Sequence, residues 1–211
     1  MIHRKMMDES LFARLLNPFS QRVVHLNKST ITYADVRKLK DDIEQIVVES
    51  DSTDPVILMI DTPGDAGEMG SRHAMEALRQ MIENSRVEIW GMVTGQCRLA
   101  SMYILQSCHL RVAVPEATLQ FHDLRRVIVL DVFASDDPTV VGDMVAKIVE
   151  CVKWDVIRER WTVAMFYQSR MRRISTIEIL ELMRDEAHLS AYQALSLGVI
   201  DRVEHIPSVV H

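Results

Sequence analysis

A run of five consecutive apolar residues, Val56–Ile60, most constrains what this chain can fold into. Turn-forming residues bound the run, with Asp54-Pro55 before it and Thr62-Pro63-Gly64 after it. A continuous apolar run of this length is typical of a strand that is buried on both faces, as in a parallel sheet. Further strand candidates follow the same logic at residues 22–26, 87–93, 110–114, 119–122, 127–133 and 199–203.

Segments with helical periodicity separate these strand candidates. Apolar residues recur at spacings of three and four between residues 32 and 50, and helices are also predicted up to about residue 83 and over residues 95–107. A long helix is predicted over residues 139–170, with an apolar stripe that contains Met144, Val145, Ile148, Val149, Val152 and Val156. Two short helices are predicted after Ser175 and Leu189. The alternation of strands and helices predicts an α/β fold with a mostly parallel sheet and flanking helices.

Length and composition favour one globular domain over residues 1–211, which begins with an N-terminal segment at residues 1–20. The net charge of −6 gives no general footprint for nucleic acid or for an anionic membrane. No apolar stretch has the length of a bilayer span. The three cysteines are widely spaced, which favours reduced thiols in a cytoplasmic protein and neither a disulfide framework nor a zinc site. We expect no metal and no cofactor.

Four motifs occur in an order that resembles the proteolytic subunit of the Clp protease, ClpP. They are I-D-T-P-G-D at residues 60–65, G-Q-C-R-L-A-S-M-Y-I-L at 95–105, P-E-A-T-L-Q-F-H at 115–122 and R-D-E-A-H-L-S-A-Y-Q-A-L-S-L-G-V-I-D at 184–201. The resemblance implies the ClpP/crotonase-like fold. It also implies a strand-plus-helix handle at about residues 123–173, which is longer here than in the family.

The family is a Ser-His-Asp peptidase, in which histidine accepts the serine proton and a carboxylate orients the imidazole. The resemblance implies that His122 stands at the histidine position. The family aspartate lies four residues before the serine of L-S-A, and counting back from Ser190 reaches Glu186. Asp185 is the alternative if the loop shifts by one residue. A structural role for both acids, as solvated charges, stays open.

The nucleophile position is the main departure from the family. Ungapped matching to the family's G-Q-A-A-S-M-G places Leu99 where serine belongs, and leucine has no nucleophilic atom. The competing register uses Ser101 but needs two extra residues inside a tight turn. A step of two residues rotates a helical side chain by about 200°, so Ser101 would face away from the direction of Leu99. Cys97 is a further, weaker candidate.

The oxyanion hole departs from the family as well. The resemblance places Gly64, Asp65 and Ala100 at its positions, with Asp65 where the family has a second glycine. A carboxylate there would repel a developing oxyanion. An ion pair between Asp65 and Arg98 would fill the former site.

These departures predict a catalytically degenerate ClpP-like subunit that has a structural or regulatory role. By the resemblance, its partners are either further copies of itself in a heptamer-type ring or an active ClpP paralogue, together with an AAA+ ATPase unfoldase. The first alternative is an active serine endopeptidase that uses Ser101 with His122 and either Glu186 or Asp185. The second is a crotonase-like enzyme that acts on acyl-thioesters.

Overall fold

The computed structural model describes residues 22–49, 52–63, 72–123 and 138–205. The chain divides into two compact units, one formed by residues 1–121 with 188–211 and the other by residues 122–187. That the chain forms a single domain stays a prediction. The strands are β1 (Val23–Leu26), β2 (Val56–Ile60), β3 (Ile89–Val93), β4 (Gln96–Arg98), β5 (Leu110–Ala113), β6 (Thr118–Gln120), β7 (His188–Ser190) and β8 (Arg202–Val203). The helices are α1 (Tyr33–Glu49), α2 (Arg72–Glu83), α3 (Ala100–Ser107), α4 (Pro138–Arg170), α5 (Thr176–Arg184) and α6 (Ala191–Leu197).

The first unit contains a five-stranded parallel sheet with strand order β1-β2-β3-β5-β8. Its central strands β2 and β3 are nearly fully buried, as their apolar composition predicts. Gly91 in β3 allows helix α3 to approach the sheet closely, because a Cβ at this position would lie 2.8 Å from Leu105 Cδ1. The α/β class and the mainly parallel central sheet with flanking helices are therefore confirmed.

A second, three-stranded sheet in the same unit has the order β4-β6-β7. Strand β4 is parallel to β6, with Cys97 paired to Leu119, and β7 is antiparallel to β6. The predicted helix over residues 95–107 is wrong for its first turn, because residues 96–98 form β4. Cys97 pairs with Leu119 and its side chain is buried, while the N–H groups of Gln96 and Arg98 bind the side chains of Asp61 and Ser101, so a strand replaces a helical turn.

The second unit consists mainly of the long helix α4 and the short helix α5, which pack against each other. Helix α5 follows Ser175 as predicted, and a capping box starts it: Ser175 accepts the Glu178 N–H, and the Glu178 carboxylate accepts the Ser175 N–H. In α4 the predicted stripe is only half-buried at residues 145, 148, 152 and 156, and Met144 and Val149 are exposed. Side chains that are buried occur toward its C-terminal end, at residues 163, 164 and 167.

The strand predicted over residues 127–133 and the N-terminal segment at residues 1–20 lie outside the described residues. None of the helices in the described ranges is both long enough and apolar enough to cross a membrane.

Candidate functional site

The turn between β4 and α3 holds Leu99 in a backbone conformation that glycine adopts far more readily. Leu99 has φ 48° and ψ −118°, a region that costs a residue with a Cβ on the order of 1–3 kcal/mol. The Leu99 carbonyl accepts the N–H groups of Met102 at 3.0 Å and Tyr103 at 3.3 Å. Leu99 is partly exposed and joins the last residue of the strand to the first residue of the helix, Ala100. The local structure is thus a strained strand-to-helix turn with leucine at its apex.

Ser101, two residues later, is completely buried. Its Oγ accepts the Arg98 N–H at 2.8 Å and donates to the Arg98 carbonyl at 2.6 Å. It also accepts a hydrogen bond from the Thr62 hydroxyl. These hydrogen bonds connect the turn to the segment that follows β2. Ser101 therefore has a structural role.

Cys97 lies in strand β4 and is buried. Burial raises the pKa of the Cys97 thiol to about 12, and the neighbouring Ser101 side chain offsets only part of that rise. Because the thiolate is the nucleophilic form, this cysteine is unreactive at neutral pH.

The first two family-like motifs meet at Gly95. A Cβ at Gly95 would lie 2.2 Å from Asp61 Oδ1, so this position has no room for a side chain. The same Asp61 oxygen accepts the Gln96 N–H at 2.9 Å, and the Thr62 N–H donates to the Gln96 carbonyl at 2.7 Å. Asp61 and Thr62, which stand in I-D-T-P-G-D, therefore hold the entrance of β4 in place.

His122 lies in the second unit, directly after the end of the first. Its Nδ1 lies 2.6 Å from the Asp123 carbonyl oxygen, and since a carbonyl only accepts, Nδ1 carries the proton. Its Nε2 lies 3.6 Å from Glu186 Oε1, which is within ion-pair range but long for a hydrogen bond. In a working triad the carboxylate holds Nδ1 and Nε2 receives the nucleophile's proton. The ring of His122 has the opposite arrangement.

The two candidate acids are in different surroundings. The Glu186 carboxylate is the one near His122, whereas the exposed Asp185 pairs with Arg184 at 2.8 Å. Hydrogen bonds from Arg184 lower the pKa of Asp185 below its usual value. Asp185 therefore acts as a surface ion-pair partner at the end of α5.

Glu186 occupies a backbone position that normally belongs to glycine. It has φ 47°, and its N–H and that of Ala187 donate to the carbonyls of Met183 and Leu182 at 3.1 and 2.9 Å. This hydrogen-bond pattern is a Schellman motif. Helix α6 ends with the same motif, in which Gly198 is the left-handed residue, with φ 76°. A glutamate in the left-handed region destabilises the folded state by about 1 kcal/mol relative to glycine. The backbone conformation at position 186 therefore does not account for the glutamate.

Replacing Glu186 with glycine is expected to raise the free energy of unfolding by about 0.5–1 kcal/mol, because glycine removes the left-handed strain but is more flexible when unfolded. Gly198→Ala is the matched control at the equivalent position of α6 and should lower the same quantity. Urea unfolding of both variants measures the two effects. A loss of stability in Glu186→Gly would mean that the Glu186 side chain is held by contacts worth more than the strain.

A further contact beside His122 has no counterpart among the sequence predictions. Arg160, in α4, forms an ion pair with the largely buried Asp123 carboxylate. Because the Asp123 carbonyl binds the imidazole, Arg160 helps to position the ring through the residue that follows it. The two residues are 37 positions apart, and no local pattern links them.

Gly64 and Asp65 lie outside the described residues, so the predicted pair between Asp65 and Arg98 stays a prediction. Ala100, which the resemblance places at the third oxyanion-hole position, is buried at the start of α3. Within the described ranges, no group of three or more histidine, cysteine, aspartate or glutamate side chains is placed to hold a metal ion.

Comparison with known proteins adds no family to these observations. Neither a scan against protein-family models nor a search of curated proteins found a match to this chain.

Proposed function

We propose that this chain is a ClpP-like scaffold in which leucine has taken the nucleophile position, and that it works as a non-catalytic subunit. The observation that carries the proposal is the conformation of Leu99, with φ 48° and ψ −118° between β4 and α3. Serine hydrolases of the α/β-hydrolase type present their nucleophile on a sharp, strained turn from strand to helix. The leucine side chain is apolar and has no nucleophilic atom. The turn therefore has the backbone geometry of a nucleophile turn but lacks the nucleophile.

The register that places Leu99 at the apex also explains Ser101. A nucleophilic hydroxyl must be accessible and within reach of a base, whereas Ser101 is fully buried and bound to Arg98 and Thr62. The orientation of His122 also supports a non-catalytic role, because both of its ring nitrogens already face groups of the second unit. An active peptidase that uses Ser101 is therefore the weaker proposal.

A structural subunit needs a surface for assembly. Helix α4 exposes several large apolar side chains, among them Trp154 at 60% and Trp161 at 46%, and extended apolar patches on soluble proteins mark interaction sites. We propose that the chain assembles with copies of itself or with an active paralogue. The ring form and the ATPase partner rest on the resemblance alone.

The proposal is tested with a fluorophosphonate probe and mass spectrometry of the intact protein. The wild type is expected to remain unlabelled, because no accessible hydroxyl lies at the apex of the turn. An adduct that appears at residue 99 only in Leu99→Ser, alone or with Asp65→Gly, would support the proposal, and Ser101→Ala should leave the wild-type result unchanged. Stoichiometric labelling of the wild type at Ser101 would instead establish an active serine enzyme.

A further inference from the structure

The two faces of the small sheet formed by β4, β6 and β7 differ in polarity. Successive side chains of a strand point to opposite faces of the sheet, and the register of the three strands aligns these side chains in rows. The middle row consists of Cys97, Leu119 and Leu189, which are 0%, 0% and 7% exposed. One face of the sheet therefore belongs to the apolar core of the first unit.

The opposite face has two rows that consist only of polar, non-acidic residues. They are Arg98, Gln120 and His188 in one row and Gln96, Thr118 and Ser190 in the other. Directly opposed residues in neighbouring strands have Cβ atoms about 5 Å apart. The rows thus bring together side chains that can all donate hydrogen bonds, with a permanent positive charge at Arg98.

Part of this polar face is covered. Gln120, at the centre of its row, is 8% exposed, and Arg98 and Gln96 in β4 are half-buried. His188 and Ser190 in β7 are exposed. A sheet face whose polarity serves only hydration would expose the polar residues of all three strands. The face instead has a covered end at β4 and an open end at β7.

Two groups at the covered end have no side-chain partner among the described residues. The Arg98 guanidinium forms no ion pair or hydrogen bond with them, and Gln96 Oε1 is buried without a hydrogen-bond partner. The backbone at both positions is fixed, because Asp61 accepts the Gln96 N–H and the Ser101 hydroxyl binds the N–H and the carbonyl of Arg98. A half-buried cation and a buried acceptor both destabilise a protein until a partner is supplied.

We propose that this polar face binds the C-terminal end of a polypeptide, with the carboxylate on Arg98 and a backbone N–H on Gln96 Oε1. A planar guanidinium binds a carboxylate through two parallel hydrogen bonds. Gln96 Oε1 requires a donor, which an ionised phosphate lacks and which a peptide supplies beside its carboxylate. Positions 96 and 98 are about 7 Å apart along the strand, which is close to the span of a C-terminal dipeptide.

This binding role goes beyond the proposed function, because it uses none of the positions that the resemblance assigns to catalysis and requires no nucleophile. The predicted ion pair between Arg98 and Asp65 involves the same guanidinium. A bound carboxylate would replace Asp65 there, and Asp65→Asn removes the competing charge.

Fluorescence anisotropy tests the proposal with two fluorescein-labelled tetra-alanine peptides, one with a free C-terminal carboxylate and one with a C-terminal amide. Both are titrated with the full chain, as the wild type and as Asp65→Asn. The free carboxylate is expected to bind at least about tenfold more tightly than the amide, because charge-assisted hydrogen bonds are the stronger ones. Arg98→Gln should abolish this preference, and Arg98→Lys should retain only part of it, since an ammonium lacks the planar fork.

Two further variants serve as controls. Arg202→Gln removes an arginine of β8 in the same unit and should retain the full preference. Gln96→Met removes the buried acceptor at nearly constant side-chain size, and it should weaken the binding of both peptides by a similar factor. Unchanged unfolding midpoints establish that the variants are folded.

Equal affinity for the two peptides in both the wild type and Asp65→Asn would overturn the proposal. A preference for the free carboxylate that survives in folded Arg98→Gln would overturn the assignment to Arg98. Displacement of the peptide by phenyl phosphate at a lower concentration than by N-acetyl-alanine would overturn the choice of a carboxylate ligand.

Discussion

Replacing Asp201 with alanine is expected to lower the free energy of unfolding by about 3 kcal/mol, because it leaves a buried guanidinium without its counter-charge. Arg111 is 6% exposed. Its Nε and Nη2 donate to the two Asp201 carboxylate oxygens at 3.0 and 2.8 Å, and its Nη1 donates to Gln106 Oε1 at 2.6 Å. Gln106 in turn donates to the Val199 carbonyl at 2.9 Å. This network fastens the segment after α6 to β5.

Two comparisons establish that the loss arises from the buried charge. The double variant Arg111→Met with Asp201→Ala removes both charges and should recover much of the lost stability. Asp185→Ala removes a carboxylate from an exposed ion pair and should leave the unfolding midpoint nearly unchanged. Urea unfolding monitored by circular dichroism measures all three variants. A loss in Asp201→Ala no larger than that in Asp185→Ala would show that Arg111 is solvated despite its position.

The strands of the central sheet were predictable because a strand that is buried on both faces requires a continuous run of apolar residues. Strand β2 begins and ends at the predicted residues, Val56 and Ile60. The caps of α5 and α6 were predictable for a related reason. Ser175, Ser190 and Gly198 act through hydrogen bonds and backbone angles within a few residues of themselves.

Strands β4 and β7 were not predictable from local patterns. Each has three residues, and their pairing with β6 depends on contacts far away in the sequence. Residues 96–98 follow a glycine and precede a helix, so helical periodicity appeared to extend through them. The pairing of Cys97 with Leu119 outweighed that local tendency.

The residues of the candidate site divide in the same way. The match that places Leu99 at the nucleophile position rests on the resemblance and stays a prediction, whereas the strained angles of Leu99 and the burial of Ser101 are visible only in the structure. The choice between Glu186 and Asp185 needed coordinates, because one residue turns toward His122 and its neighbour turns toward Arg184. The hydroxyl pair of Thr62 and Ser101 joins positions 39 residues apart, which no spacing rule connects.

The apolar content of α4 was predictable, but the face that stays exposed was not. The sequence stripe that contains Ile148 and Val152 becomes the half-buried side of the helix. Trp154 and Trp161 lie on the exposed side of the same helix. A helix with apolar residues on two sides cannot be oriented without knowledge of what it packs against.

The central claim is that Leu99, and not Ser101, stands at the apex of the turn after β4. Thiol reactivity tests it directly, because a cysteine reacts according to its exposure and the fraction present as thiolate. Leu99 is partly exposed, and its position at the start of α3 favours a thiolate through the helix dipole. Ser101 is 0% exposed, and burial both shields a thiol and raises its pKa.

The measurement compares Leu99→Cys with Ser101→Cys in a Cys151→Ser background, under native conditions, with a chromogenic disulfide reagent. Unchanged unfolding midpoints establish that both variants are folded, and the Cys151→Ser protein itself gives the background rate of the buried Cys97 and Cys108. Leu99→Cys is expected to react at least about tenfold faster than Ser101→Cys. A folded Ser101→Cys protein that reacts faster than Leu99→Cys would contradict the account.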